Sequence, residues 1–102
     1  MKPVVVHRPE LQAFVMAAVA DSGEAGAATR AVCAYRRQGD TLVLHHTEVP
    51  PALQGQGLAA VLVQAALDWA RAERLQVRPV CSYVAAYMRR HPDTLDLLKP
   101  PG

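Results

Sequence analysis

Apolar residues form short stretches in the first half of the chain and a helical repeat after residue 57. The stretch QAFVMAAVA, Gln12–Ala20, is rich in β-branched and aromatic residues, and the turn residues DSGEAG follow it. Apolar positions alternate in AATRAVCAYRR, Ala27–Arg37, and TLVLHHTEV, Thr41–Val49, ends at two prolines. These patterns are typical of strands. Because only QGD separates the second stretch from the third, we predict three consecutive antiparallel strands.

The segment from Gly57 to about Arg74 has the three- and four-residue spacing of an amphipathic helix. Its predicted inner face carries Leu58, Val61, Leu62, Ala65, Ala66 and Trp69. VRPV, Val77–Val80, predicts a short strand, and SYVAAYMRR predicts a second helix that ends before Pro92. The order is β-β-β-α-β-α. A strand–helix–strand crossover is parallel and right-handed, so we predict an α/β (α+β) fold with a mixed, mainly antiparallel sheet.

The 102 residues, with 51% hydrophobic and 20% charged, are typical of one globular domain. We expect this domain to span residues 1–98 and residues 99–102 to form a loose tail. No apolar run has the length of a membrane span, and MKPVVVHRPE lacks the apolar centre of a signal peptide. We therefore expect a cytoplasmic location and no membrane partner. The net charge of +2 comes from scattered basic residues, which disfavours nucleic acid as a partner.

Cys33 and Cys81 have no Cys or His neighbour at metal-ligand spacing. We expect two free thiols and no metal site. An edge strand of the predicted sheet is free to pair with another copy, so both a monomer and a small homo-oligomer remain open.

The loop before the long helix, LQGQGLAA, fits two phosphate-binding patterns. From Gly55 it reads G-x-G-x-x-A, as in dinucleotide-binding domains, and from Gln54 it reads Q-x-x-G-x-A. Both patterns use the unpaired N–H groups and positive dipole end of a helix start. A dinucleotide-binding domain also needs an acidic residue about 20 positions later, where the next strand ends. That strand ends here in Val80 and Cys81, and the preceding strands are antiparallel, so the second pattern is favoured.

The segment His46–Pro92 resembles the GCN5-related N-acetyltransferase family, above all its small single-domain members. The resemblance rests on three motifs: HTEVP at a strand end, Q-x-x-G-x-A in the loop, and P-x-C-x-Y in PVCSY. It implies a truncated form of the family's fold, acetyl-CoA as co-substrate, and acyl transfer to an amine. It also implies a sheet that splays open between the last two strands to hold the pantetheine arm. The implied cofactor-binding residues are Thr47, Val49, Gln54, Gly55, Gln56, Gly57, Leu58, Ala59, Cys81 and Tyr83.

An amine acceptor must lose a proton before it attacks a thioester, so a base is expected near the end of the third strand. Glu48 matches a position where the family often has a base that acts through water, and His46 shares its face. For the departing thiolate two residues compete. Tyr87 lies near the place of the family's tyrosine acid. Cys81 matches the cysteine of the small members, which could act as an acid or carry the acyl group, and a helix start lowers a thiol pKa.

We expect direct transfer of the acetyl group rather than a covalent acyl-enzyme. The acceptor could be a protein lysine, a polyamine or a small metabolite, and the sequence does not choose between them. The alternative function is a CoA-binding sensor or interaction module without turnover. Such a module would keep the phosphate loop and would not need Glu48, His46, Cys81 or Tyr87.

Overall fold

Five strands and two helices form the fold in a computed structural model, which describes residues 4–17, 30–51, 54–55 and 57–99. The elements are β1 (Val5–Arg8), β2 (Ala13–Ala17), β3 (Arg30–Gln38), β4 (Thr41–Glu48), α1 (Leu58–Ala72), β5 (Gln76–Pro79) and α2 (Ser82–Arg90). Short 3-10 helices cover Pro9–Leu11 and Pro92–Leu97. The strands lie side by side in chain order, antiparallel from β1 to β4 and parallel between β4 and β5. The predicted mixed, mainly antiparallel fold is confirmed.

One strand, β1, is absent from the predicted order and precedes the three strands predicted there. Its four residues, VVHR, alternate between half-buried and exposed positions. A run of this length cannot be distinguished from a loop by periodicity alone. Pairing with β2, from Val5 with Met16 to Arg8 with Ala13, makes it a strand.

Several predicted boundaries lie outside the described residues. These are residues 18–20 of the first predicted strand, the turn 21–26, residues 27–29 of the next strand, and residues 100–102 of the tail. Within the described part, the predicted first strand begins one residue later, because Gln12 has left-handed backbone with φ 50°. The N–H of Lys99 donates to the carbonyl of Val77 at 2.9 Å. The domain limits at residues 98 and 99 stay a prediction.

The core lies on one face of the sheet, which we call the helix face. Alternate residues of β2, β3 and β4 project there and join the buried residues of both helices in one cluster. The stacked and tilted rings of His7, Phe14, Tyr35 and Trp69 connect β1, β2 and β3 to α1. No described helix is long and apolar enough to cross a membrane.

The predicted inner face of α1 is wrong at one position. Val61 is 41% exposed, whereas Val63, Leu67 and Ala70 are buried beside Leu62. Periodicity identifies the apolar stripe of the helix, but the elements that pack against the helix determine which part of that stripe is buried. Val61 lies at the edge of the stripe and lines a groove between α1 and α2.

The other face of the sheet, the open face, carries the remaining strand positions. Cross-strand partners share a face, so the register assigns them. They are Val6 and Arg8 of β1, Ala13 and Val15 of β2, Arg30, Val32, Ala34, Arg36 and Gln38 of β3, Thr41, Val43, His46 and Glu48 of β4, and Gln76 and Arg78 of β5.

Candidate active site

The parallel pair of β4 and β5 ends before β4 does. Its last partners are Leu44 and Pro79, and the carbonyl oxygen of Leu44 accepts the N–H groups of both Val80 and Cys81 at 3.0 Å. The chain then turns into α2, whereas β4 continues through residues 45–48 and pairs with β3 on its other side. The sheet therefore opens between β4 and β5, beside the second half of β4.

An irregularity in β4 sets the side-chain directions in this second half. Ala34 is paired with His46, but Tyr35 is paired with Leu44, so β4 has one extra residue, His45. A bulge of this kind bends a strand and re-aims the side chains that follow it. The pairing of β4 with β3 is therefore shifted by one residue after His45, and this shift sets the faces on which His46, Thr47 and Glu48 lie.

His46 and Glu48 lie together on the open face, as predicted. The Nε2 atom of His46 is 3.4 Å from Oε2 of Glu48, and the side chains are 56% and 70% exposed. No third His, Cys, Asp or Glu joins them in a metal-binding group, here or elsewhere among the described residues. The pair can accept a proton from a ligand that approaches across the open face.

Thr47 points to the helix face, between the two cysteines. It is the cross-strand partner of the buried Cys33, and its Oγ1 atom lies 3.7 Å from Sγ of Cys81 on the other side of the gap. Both cysteines are free thiols, as predicted. The sequence does not reveal that both thiols contact the same threonine, because these contacts join two strands, β3 and β4, and the start of α2.

The two thiols have opposite acidities. Burial raises the pKa of Cys33 to about 11, although a hydrogen bond with Thr47 opposes the shift. For Cys81, partial burial favours the neutral thiol, but the nearby backbone N–H groups of Val84 and Tyr83 and the hydroxyl of Thr47 favour the thiolate and lower the pKa of Cys81. Cys81 is the N-cap of α2, so its sulfur lies beside the unpaired N–H groups and the positive dipole end at the start of this helix.

The loop between β4 and α1 needs glycine at two positions. Gly55 has φ 84° and Gly57 has φ 75°, both in the left-handed region that side chains disfavour. A Cβ atom at either glycine would meet nothing within 4 Å, so the conformation and not crowding requires them. The Gln54 side chain ties the loop to the strand by donating to the carbonyl of Val49 at 3.0 Å. Gln56 lies outside the described residues.

Helix α1 begins with N–H donors that no described side chain caps. Gly57 is the N-cap, and the first helical bond runs from the N–H of Val61 to the carbonyl of Gly57. The N–H groups of Leu58, Ala59 and Ala60 precede it and have no acceptor inside the helix. The side chain of Leu58 is buried in the core, so Leu58 can contribute to a ligand site only through its backbone.

Tyr87 lies apart from the other candidate residues. Its hydroxyl donates to Oε1 of Gln64 on α1, and its ring stacks on His91 with the centroids 3.9 Å apart. Burial and the nearby Asp68 carboxylate raise its pKa. Tyr83, one turn earlier, is 38% exposed at the start of α2.

A groove of about 420 Å³ separates α1 from α2, and sequence reasoning did not identify it. Its lining includes Ala60, Val61, Gln64 and Tyr87. It extends from the first turn of α1 along the exposed side of the helix. The small residues at positions 60 and 65 are the one sequence signal for it, and helix periodicity assigns them to packing instead.

Comparisons with known proteins identify the family and the fold. The family model of the GCN5-related N-acetyltransferase matches residues 15–97. Protein NATD1 of Mus musculus is 40% identical over 78 residues, which cover 74% of this chain and 71% of that protein. Protein NATD1 of Homo sapiens is also 40% identical over 78 residues, covering 74% of this chain and 69% of that protein.

A solved structure has the same fold. The solution structure of a GCN5-like protein from Staphylococcus aureus superposes with a TM-score of 0.70 and 19% sequence identity. The match covers 97% of this chain and 90% of that one. At 19% identity this likeness supports the fold alone. The family match covers residues 15–97, most of the chain, and supports membership of the family. The chain belongs to the GCN5-related N-acetyltransferase family.

Proposed function

We propose that this protein transfers an acetyl group from acetyl-CoA directly to an amine. The observation that carries the proposal is the gap between β4 and β5. Within the part of the chain that the structure describes, this gap leaves one edge of residues 45–48 without a strand partner. Proton-accepting side chains lie on one face of the gap and a thiol of lowered pKa lies on the other. Each of these features has a use in acyl transfer to an amine.

The chemistry of the site residues suits acetyl-CoA. The backbone of Thr47 and Val49 would pair with the amide-containing pantetheine arm, as a strand pairs with a sheet edge. The N–H groups of Leu58, Ala59 and Ala60 would bind the pyrophosphate, favoured by the positive end of the α1 dipole. Gly55 and Gly57 leave the space beside the loop open for the phosphates. When bound, acetyl-CoA supplies the activated thioester.

Glu48 would act as the base. An alkylammonium with a pKa near 10 must lose its proton before its nitrogen can form the new C–N bond. The carboxylate is exposed on the open face and would take this proton through a water molecule. His46, 3.4 Å away, would hold the carboxylate in position and provide a second acceptor for the proton.

Cys81 is better situated than Tyr87 to assist the leaving group. When the C–S bond breaks, the CoA thiolate takes up a proton or a hydrogen bond. Cys81 borders the gap and contacts Thr47, and its lowered pKa makes its thiol the more acidic donor. The hydroxyl of Tyr87 donates a hydrogen bond to Gln64 in the groove between the helices, and the pKa of Tyr87 is raised. Tyr87 would instead line the path of the CoA moiety.

Calorimetry with acetyl-CoA, beside a thiol-release assay over a panel of amines, tests the proposal. We expect the wild-type protein to bind acetyl-CoA and to release thiol only when an amine is present. Glu48→Gln should bind acetyl-CoA normally and turn over more slowly, and Tyr87→Phe should retain more activity than Cys81→Ala. Binding without turnover, unaffected by Glu48→Gln or Cys81→Ala, would favour the non-catalytic CoA-binding module. Absence of binding would contradict both functions.

A further inference from the structure

A row of side chains crosses the open face and ends at Glu48. Val6 is paired with Val15, Val15 with Val32, and Val32 with Glu48, in four neighbouring strands. Cross-strand partners project to the same face, so the four side chains form one line. With strands about 4.8 Å apart, the line is about 14 Å long. A ligand that lies across β1 to β4 can therefore reach from an apolar region to the proposed base.

The far end of this row is an apolar groove of about 250 Å³. It is lined by Val4, Val6, Arg8, Leu11, Val15 and Arg30. Val4, Val6 and Leu11 are 65%, 48% and 54% exposed. Large aliphatic side chains that gather at the surface in this way usually mark a binding surface. The groove has the chemistry for a single apolar side chain of a ligand.

The open face carries more positive than negative charge, because its four arginines outnumber Glu48 and the Glu10 that lies beside Arg8. Arg8 and Arg30 line the groove, and Arg36 and Arg78 project from the same face on either side of Val43. All four are exposed. Arg8 is paired with Glu10 at 2.9 Å, whereas the described residues contain no ion pair of Arg30, Arg36 or Arg78. Such a face attracts anionic ligands and repels polycations.

We propose that the open face binds the acceptor as an extended, acidic protein segment that presents a lysine to Glu48. This inference rests on the proposed function and specifies its substrate class. The distance from Glu48 to the groove at Val6 is three strand spacings, about 14 Å, which an extended peptide covers in roughly four residues. Side chains four residues apart in an extended peptide project to the same side, so an apolar side chain about four residues from the lysine would occupy the groove, and neighbouring carboxylates would pair with Arg30 and Arg36.

The same observations disfavour other acceptor classes. A polyamine carries several positive charges and would be repelled by the arginines. Nucleic acid would be attracted by them, but single strands are usually held by aromatic stacking as well. Within the described residues, the open face presents no Phe, Tyr or Trp side chain, and the floor of the groove is aliphatic.

Amide NMR titrations of the full chain, without acetyl-CoA, test this proposal directly. The probe is a short peptide with a central lysine, a leucine about four residues away and flanking glutamates. We expect shifts of the Val6, Val15, Val32 and Arg30 amides. We also expect binding about tenfold tighter than that of a peptide with glutamine in place of glutamate. Arg30→Gln should weaken binding up to about fivefold, as expected for one exposed ion pair.

Arg37→Gln is the matched control, because Arg37 is on the same strand and its register partner Leu42 is on the helix face. It should leave peptide binding unchanged, and dispersed amide spectra would verify that both variants fold. Equal binding of the glutamine peptide, shifts confined to α1 and α2, or tighter binding of spermidine or a single-stranded oligonucleotide would overturn the proposal. Loss of acetyl-CoA binding would contradict the proposed function alone, since the peptide titration contains no acetyl-CoA.

Discussion

The two halves of β4 have the same neighbour on one side and different surroundings on the other. Thr41–Leu44 is paired with both β3 and β5, and all four residues are buried. Residues 45–48 are paired with β3 and, among the described strands, with no other, and they alternate between half-buried and exposed positions. The two N–H groups that bond to the Leu44 carbonyl mark the division. One strand thus anchors the core with its first half and presents candidate catalytic groups with its second.

Substitutions in the two halves should separate stability from activity, with the largest effect in the first half. Leu44→Ala should lower the free energy of unfolding by about 2–5 kcal/mol, because Leu44 is fully buried and a cavity would remain. His46→Ala, in the exposed half, should change it by no more than about 0.5 kcal/mol. Chemical denaturation measures both. Comparable losses in the two variants would show that the division of β4 is wrong.

The two thiols beside Thr47, Cys33 and Cys81, should make opposite contributions to the pH dependence of stability. Unfolded Cys33 ionises near its ordinary pKa of 9.0, whereas folded Cys33 keeps its proton to about 11. The unfolded state therefore binds fewer protons between these values, and stability should fall as the pH rises from 9 to 11. The loss due to Cys33 is about 2.7 kcal/mol, two pKa units at 1.36 kcal/mol each.

Unfolding curves of wild type and Cys33→Ala across this pH range isolate the contribution. The variant should lack the Cys33 part of the alkaline loss. Cys81→Ala should retain it, because the pKa of Cys81 is lowered and its linkage has the opposite sign. An alkaline loss that is equally large in Cys33→Ala would contradict the burial argument.

Replacing Glu48 should affect turnover without affecting the fold. Glu48→Gln removes the proposed base, so kcat should fall about 10- to 100-fold, while unfolding and acetyl-CoA affinity remain near wild type. The control is Glu73→Gln, an exposed carboxylate at the end of α1 that should have no kinetic effect. Equal kcat values in the two variants would remove Glu48 from the mechanism.

Sequence reasoning predicted the regular parts of the fold and site. The alternation and closing prolines of TLVLHHTEV indicate β4, and the helix between β4 and β5 requires their parallel pairing. Periodicity also places His46 and Glu48 on one face, and the bulge before them leaves that relation intact.

The features that sequence reasoning missed depend on contacts between distant segments. Strand β1 is defined by its partner β2, and Val61 faces outward because the core covers a neighbouring part of α1. The bond between Tyr87 and Gln64 joins two helices whose relative position no local pattern encodes. The shared contact of Cys33 and Cys81 with Thr47 likewise requires the sheet to be assembled.

The smallest predicted effect concerns the loop after β4. Gly57→Ala should cost about 1 kcal/mol of stability, because alanine disfavours φ 75°, and should weaken acetyl-CoA binding several-fold. Gly39→Ala, in the turn between β3 and β4 at φ 62°, should have a similar structural cost and leave affinity unchanged. Thermal unfolding and calorimetry test the pair. Equal affinities would exclude the loop from the CoA site.

Hydrogen exchange along β4 tests the central claim most directly, because it observes both halves of the strand in one sample. Amides of Thr41–Leu44 should be well protected with or without acetyl-CoA. On addition of acetyl-CoA, the amides of residues 45–49 that do not bond to β3 should gain protection, as the ligand pairs with the strand edge. Binding of acetyl-CoA with no gain of protection at these residues would contradict the account.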